Sequence, residues 1–290
     1  MQFVMELKKV LMDIDGNLKP KRVFVVGDIH GAAKALKQAL NRANFNIKED
    51  QLISLGDCVD GWGESPQVID ILLKIQEEAI FKPIFIRGNH DAWAQEWLEF
   101  GNAQHIWINQ GGRATKEAYE NMNLYTDFDI DKHRKFFKNQ VNYYIDDQNR
   151  GFCHGGFVSK KGLGHEVHQT NYYWDRDLWQ IALGAHSTYV EGINDEDIAY
   201  IPRYKKHKEI FIGHTTTNAW NCKPHYPEFN NPDQESKNGP IVVPMKRCNV
   251  WNLDTGGGFK GKVTVMNVDT HEYFQSNFVP TLYPNELGRR

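Results

Sequence analysis

The sequence predicts an α/β fold, and two observations carry that expectation. Short apolar strands alternate with helical stretches three times in succession, and each strand closes on a glycine flanked by Asp, His or Asn. Arg22 to Val26 is a β-branched and aromatic run closed by Gly27, and the residues that follow carry Ala33, Leu36, Ala39 and Leu40 at helical spacing. Leu52 to Leu55, closed by Gly56, precedes a helical stretch from Pro66 to Glu78 with Val68, Ile69, Leu72, Leu73 and Ile75. Ile84 to Ile86 runs into Gly88, and a third helix opens near Ala92. Such alternation implies a parallel sheet covered on both faces, with its chemistry outside the carboxyl ends of the strands.

Further along, 101–138 is polar and helical and 162–204 is rich in aromatic residues, Trp174 and Trp179 among them. Both stretches read as cap segments inserted over the sheet. Val141, Tyr143, Ile145 and Phe152 suggest a hairpin, and Ile210 to Ile212, ending at Gly213, a further core strand. Val250 to Leu253, Lys262 to Val268 and Tyr273 to Phe278 read as antiparallel strands joined by the turn Thr255 to Gly258. Pro224 to Pro244 reads as a long surface loop. At ~150 residues per domain, 290 residues suggest one large domain over 1–290 that carries these insertions.

Lys and Arg number 34 against 37 Asp and Glu, a net charge of −3, which fits neither a disordered chain nor a strongly basic nucleic-acid binder. No run approaches the ~20 apolar residues of a membrane helix, and Glu6, Lys8, Lys9, Asp13 and Asp15 stand where a secretory leader would be apolar. The expectation is a cytoplasmic protein with no membrane partner. Cys58, Cys153, Cys222 and Cys248 form no Cys-x-x-Cys pair, so free thiols are expected rather than a zinc site or a disulfide framework.

The chemistry lies at the strand ends. Gly27-Asp28-Ile29-His30-Gly31 puts a carboxylate and an imidazole two residues apart, on one side of an extended backbone and within reach of one metal. Gly56-Asp57-Cys58-Val59-Asp60 supplies two carboxylates, the first placed to bridge two ions, and Arg87-Gly88-Asn89-His90-Asp91 an amide oxygen and an imidazole. Cys153-His154-Gly155 and Gly213-His214-Thr215 add a histidine each. The flanking glycines leave no β-carbon to clash beside a bound ion. Five strand ends carrying O and N ligands on one predicted sheet edge are a joint signal that no single residue supplies.

Together these motifs resemble the calcineurin-like metallophosphoesterase superfamily, and most closely its bacterial and phage-type serine/threonine phosphoprotein phosphatases. Trp107 to Gly112 is similar to a stretch found after the third motif in that group. The resemblance implies an α/β sandwich of mixed sheets flanked by helices, with helical and aromatic cap insertions. It also implies that Asp28 and His30 hold one ion, Asp57 bridges, and Asn89, His154 and His214 complete the second. Carboxylate, amide and imidazole ligands without thiolate suit Mn, with Fe or Zn as alternatives. In the family a hydroxide between the ions attacks phosphorus, so Cys58 and Cys153 need no catalytic role. His90 would be the general acid and Asp60 its partner, holding the ring and raising its pKa, unless Asp60 only caps a turn. Arg87 and Arg176 match phosphate-binding positions, although Arg176 equally suits a salt bridge in the cap.

One departure stands out: where the protein phosphatases carry arginine after Asp60, this chain has Gly61. Either another cation substitutes, with Arg113 and Arg203 as candidates, or the substrate carries less charge. Trp62, Trp93, Tyr172, Tyr173 and Trp174 either stack a base or aromatic phosphoamino acid, or form cap core. His165 and His168 are placed at the pocket rim, the remaining histidines outside the site, and Asp254-Thr255-Gly256 beneath it. The expected activity is hydrolysis of phosphoserine or phosphothreonine in a protein, or of a small phosphoester. The alternatives are dinucleoside polyphosphate hydrolysis, with phosphodiester or RNA-end hydrolysis behind it, and a non-catalytic scaffold is disfavoured because every ligand and His90 are present. Nucleic acid is not excluded as a partner.

Overall fold

The computed structural model describes residues 18–121, 126–189, 203–217 and 242–289. Two five-stranded mixed sheets pack face to face. The first is built on β1 (Arg22–Val26), β2 (Asp50–Ser54) and β3 (Ile84–Phe85), mutually parallel, with α1 (Ala33–Arg42) and α2 (Ser65–Glu78) as crossovers. β9 (Thr264–Asn267) and β10 (Tyr273–Gln275) extend it antiparallel on the β1 side. The second sheet runs β4 (Tyr143–Ile145), β5 (Gly151–Cys153), β6 (Ile210–Ile212), β8 (Val250–Asn252), β7 (Met245–Arg247), with β5, β6 and β8 parallel and antiparallel strands at its edges. An Ile86–Val141 bridge carries the chain between the sheets.

Strand periodicity explains why each sheet is apolar on both faces. Val25, Ile53, Phe152 and Phe211 point between the sheets, while their neighbours Phe24, Val26, Leu52, Ile210 and Ile212 point outward against helices. The Phe152 and Phe211 rings stack across the β5–β6 pair at 5.0 Å. On the outer face of the first sheet, α3 (Asn89–Phe100), α4 (Arg113–Glu120) and α5 (Asp127–Lys138) join α1 and α2, and Trp107, Tyr119, Phe136 and Phe137 fill the space between them. α6 (Asp177–Tyr189) covers the second sheet through Leu178, Trp179 and Ala182.

Several expectations change. Among the described residues each sheet has helices on one face, because its other face meets the other sheet. The described helices α4, α5 and α6 of the stretches read as caps cover the outer faces of the sheets, while Trp107, Trp174 and Arg176 from the same stretches reach the edge where the strands end; 122–125 and 190–202 lie outside the described residues. The turn Thr255 to Gly258 does not join a hairpin: β8 belongs to the second sheet and β9 to the first, so the turn crosses between them. The third helix starts at Asn89, since Asp91 accepts from the Gly88 amide and opens it three residues before Ala92. Most of the proline-rich loop, up to residue 241, lies outside the described residues, as does Cys222.

Phe211→Ala, at the centre of the inter-sheet core, is expected to cost ~3–5 kcal/mol of unfolding free energy. Phe100→Ala, at 76% exposure, should stay within ~0.5 kcal/mol. Urea denaturation of both checks the pair.

Candidate metal centre

The parallel strands of both sheets end at one edge, and the loops that follow them turn sharply inward. His30, Asp57, Asp60 and His214 all adopt the left-handed backbone region, with φ of 53°, 50°, 75° and 67°. Non-glycine residues rarely do so, and their clustering at one edge marks backbone strain gathered in one place. Asp28 and His30 therefore face the same space through a turn, not through the strand alternation expected. Close approach is enforced by Gly88 and Gly213, where a β-carbon would collide with the Asp57 and Asp28 carboxylates.

All six residues expected as ligands converge there, and each is buried. His30 Nε2 lies 3.7 Å from Asp28 and 3.6 Å from Asp57, while His154 Nε2 lies 3.3 Å from Asp57 and 3.2 Å from Asn89 Oδ1. The His154 and His214 rings are 4.9 Å apart. Two ligand groups result, Asp28–His30–Asp57 and Asp57–His154–His214, each with its donor atoms within 4.8 Å of one another and both containing Asp57. The donor set fits divalent metal ions. His154 Nδ1 donates to the Leu55 carbonyl, and His30 Nδ1 faces the Val59 and Asp60 carbonyls, so in each ring Nε2 is the atom that could ligate a metal ion. His214 Nε2 is buried with no hydrogen-bond partner, an orphan that a metal ion would satisfy.

Crowded carboxylates set the electrostatics. Burial, with the Asp57 charge adding to it, pushes the Asp28 carboxyl up to about 7. Burial also acts against an ionised Asp57, yet His154 and His90 hold it well below the usual carboxylate range. Against its own burial, His154 is pushed up to about 9 by Asp57 and Asp28. Asp254 is buried near the charges of Asp28 and His30, and burial together with Asp28 pushes it up to about 7.

His90 Nδ1 lies 2.7 Å from Asp60 Oδ2, which also accepts from Trp107 Nε1 at 2.7 Å. The Asp60 amide donates to Ser65 and Thr115, so the residue is fixed through both backbone and side chain. The expected pairing is present, but the expected pKa direction is not: burial holds His90 well below its ordinary value, with nearby Arg289 adding to the effect. Burial likewise pushes Asp60 up to about 7. With the carboxyl raised and the ring lowered, a proton shared by the pair favours Asp60 over His90.

The cations are placed unevenly. Arg176 Nη1 donates to the His214 carbonyl and to Thr215, which fixes the guanidinium beside the centre. Arg87 Nη2 donates to Gln95 and to the Phe137 carbonyl, tying α3 to the end of α5, while its Nε is buried without a partner. Arg113 is exposed on α4, and Arg203 donates to the Phe157 carbonyl beneath the second sheet, so neither stands in for the arginine missing after Asp60. Arg289, which sequence reasoning missed, lies 3.1 Å from His30 Nε2.

The aromatic group divides. Trp62 and Tyr172 are core, whereas Trp93 packs edge-on to both His90 and Trp174, and Trp174, 42% exposed, reaches His214. His165 and His168 are exposed. His133 bonds Tyr119 and Asp70, His207 accepts from the Leu163 amide, and His271 pairs with Glu209, all apart from the centre. The His186 side chain and His225 lie outside the described residues.

Residues 21–218 match the family model described as Calcineurin-like phosphoesterase. Serine/threonine-protein phosphatase 2 of Escherichia coli (strain K12) is 36% identical over 94 residues, 32% of this chain and 39% of that protein. The chain thus spans about two-fifths of the length of this curated relative. A symmetrical bis(5'-nucleosyl)-tetraphosphatase of Pseudomonas entomophila (strain L48) is 25% identical over 86% of this chain and 92% of its own. The crystal structure of a candidate diadenosine tetraphosphatase shares the fold, with a TM-score of 0.53 and 14% identity over 88% of this chain and 94% of its own. With its match to the family model running from the residue before β1 to just past His214, the chain belongs to the calcineurin-like phosphoesterase family.

Proposed function

We propose that the protein is a metal-dependent phosphomonoesterase acting on phosphoserine and phosphothreonine. The observation that carries this reading is the pair of ligand groups sharing Asp57, set beside the His90–Asp60 pair. Asp28, His30 and Asp57 would hold one divalent ion, and Asp57, Asn89, His154 and His214 a second; Mn suits these donors, as do Fe and Zn. Two such ions, when bound, supply Lewis acidity at phosphorus and an activated water as nucleophile.

The side chains supply the rest. His90, bonded to Asp60 through Nδ1, keeps Nε2 for the leaving oxygen. Transfer of the Nε2 proton to that oxygen, with the Asp60 proton moving to Nδ1, leaves a neutral ring and a carboxylate held by Trp107. Arg176, held beside His214, would meet a phosphoryl oxygen, and Arg87, whose Nη2 bonds Gln95 and the Phe137 carbonyl, would be the second cation only through its remaining donors. A cytoplasmic location suits the buried free thiols Cys58 and Cys153.

A second reading, hydrolysis of a dinucleoside polyphosphate, is supported by the Trp93–Trp174 pair beside His90 and His214, an aromatic edge able to stack a base. Mn-supplemented assays of an aryl phosphate, the matching diester and a dinucleoside tetraphosphate separate the readings. His90→Asn should lower turnover of the preferred substrate ~10²–10⁴-fold with metal content unchanged; undiminished turnover removes His90 as the acid.

Metal loading is expected to release protons at pH 7, because Asp28, at about 7, and His154, at about 9, must be deprotonated to ligate. Apparent metal affinity should therefore rise with pH through both values and level off above them. Calorimetry in buffers of different ionisation enthalpy measures the release; none at pH 7 removes both residues from the ligand set.

A further inference from the structure

The segment 283–289 is built into the wall of the centre. Tyr283 stacks on buried Trp62 with ring centroids 5.3 Å apart, accepts from the Lys34 amide and donates to Glu64. Glu286 accepts from the Gly63 amide at 2.7 Å, and the Arg289 amide donates to the Gly258 carbonyl at 2.8 Å. These anchors bring the Arg289 side chain over Gly61. At that glycine φ is +114°, which an L-residue rarely adopts, and a β-carbon would lie 3.0 Å from Arg289 Cγ. The space beside Asp60 is thus closed to a side chain from position 61 and filled by one from position 289.

The guanidinium lies over the Phe259 ring, 4.7 Å from its centroid, but finds few hydrogen-bond acceptors. Nη1 lies 3.1 Å from His30 Nε2, Nη2 lies 3.5 Å from Gln110 Oε1, and Nε is buried with no hydrogen-bond partner among the described residues. Once His30 ligates through Nε2, that lone pair no longer accepts, and a 3.5 Å contact is marginal as a hydrogen bond. A permanently charged fork then points unspent donors at the ligand cluster, the arrangement that receives two oxygens of a phosphoryl group. We propose that Arg289 grips the phosphoryl group in this site, in place of the arginine absent after Asp60. The inference rests on the phosphoesterase reading above and makes Arg289 a substrate-binding residue of the same centre.

Arg289→Ala and Arg289→Lys in the full chain, loaded with Mn, test it. Three quantities are measured: metal content, the dissociation constant of inorganic phosphate by calorimetry, and KM and kcat on an aryl phosphate. Arg289→Ala should weaken phosphate binding and raise KM about tenfold or more at unchanged metal content. Arg289→Lys should recover part of the loss, as a point charge without the fork. Unchanged phosphate affinity overturns the proposal. So does a gain in metal content or activity in Arg289→Ala, which would mean that the guanidinium competes with the ion at His30. A wild type that binds phosphate through Arg289 yet hydrolyses no phosphoester removes the hydrolase reading and keeps this inference. A wild type that hydrolyses phosphoesters with Arg289→Ala indistinguishable from it removes this inference alone.

Discussion

Asp57 is a carboxylate held ionised in the interior, and most of the architecture around it serves to compensate that charge. An isolated buried carboxylate is too costly to persist, so it must be paired, hydrogen-bonded or bound to a cation. Here His30 comes from the end of the first sheet's leading strand, His154 from the second sheet, and the His90 amide from the start of α3. No one sheet could supply all three. The carboxyl ends of both sheets must therefore meet at one edge, and the loops beyond them must turn back, which is why four site residues accept left-handed backbone. Protein partners alone do not complete the compensation, since Asp28 and Asp254 remain near neutrality beside Asp57. Divalent ions would balance all three carboxylates together and occupy the orphaned His214 Nε2.

What was legible in the sequence was whatever is written locally. A strand that ends on glycine and then Asp or His carries its site residue with it, so the six residues that converge at the centre, and His90, were legible one strand end at a time. Sheet membership is not local. Val250 to Asn252 and Thr264 to Asn267 have similar patterns, and nothing nearby says that the first pairs with β6 and the second with β1. Two packed sheets and one doubly covered sheet also demand the same strand pattern, apolar on both faces, so alternation could not tell them apart. Trp62 was left open between stacking a base and forming core, and long-range packing decides for core: its ring is buried against Tyr283 and its Nε1 donates to the Gly257 carbonyl.

The His90–Asp60 pair shows a second limit. Adjacency of acid and base was readable, because two motifs on neighbouring strand ends had to meet. The direction of the His90 pKa was not, because it follows from total burial and from cations brought by distant segments, and these outweigh one carboxylate. Trp107 was flagged only by resemblance; its part in the pair, a second donor to Asp60 Oδ2, depends on the fold of 105–112 against Gly61.

Arg289 is the residue that local reading could not reach, and the only trace of it lay elsewhere, in a glycine where an arginine was expected. Supplying the cation from a distant segment changes the energetics of the grip. An arginine on the Asp60 loop is ordered by that loop, whereas Arg289 is ordered only if 283–289 docks, and freezing a long side chain on a free segment would cost ~2 kcal/mol in rotamer entropy alone. The Tyr283–Trp62 stack, the Glu286 contact to Gly63 and the Arg289 amide bond to Gly258 meet that cost during folding, before any ligand arrives. A guanidinium already ordered gives more of its interaction energy to binding than one that must be ordered by the ligand. The same packing agrees with glycine at position 61: φ of +114° disfavours an L-residue there, and with 283–289 docked a β-carbon would also crowd Arg289 Cγ at 3.0 Å.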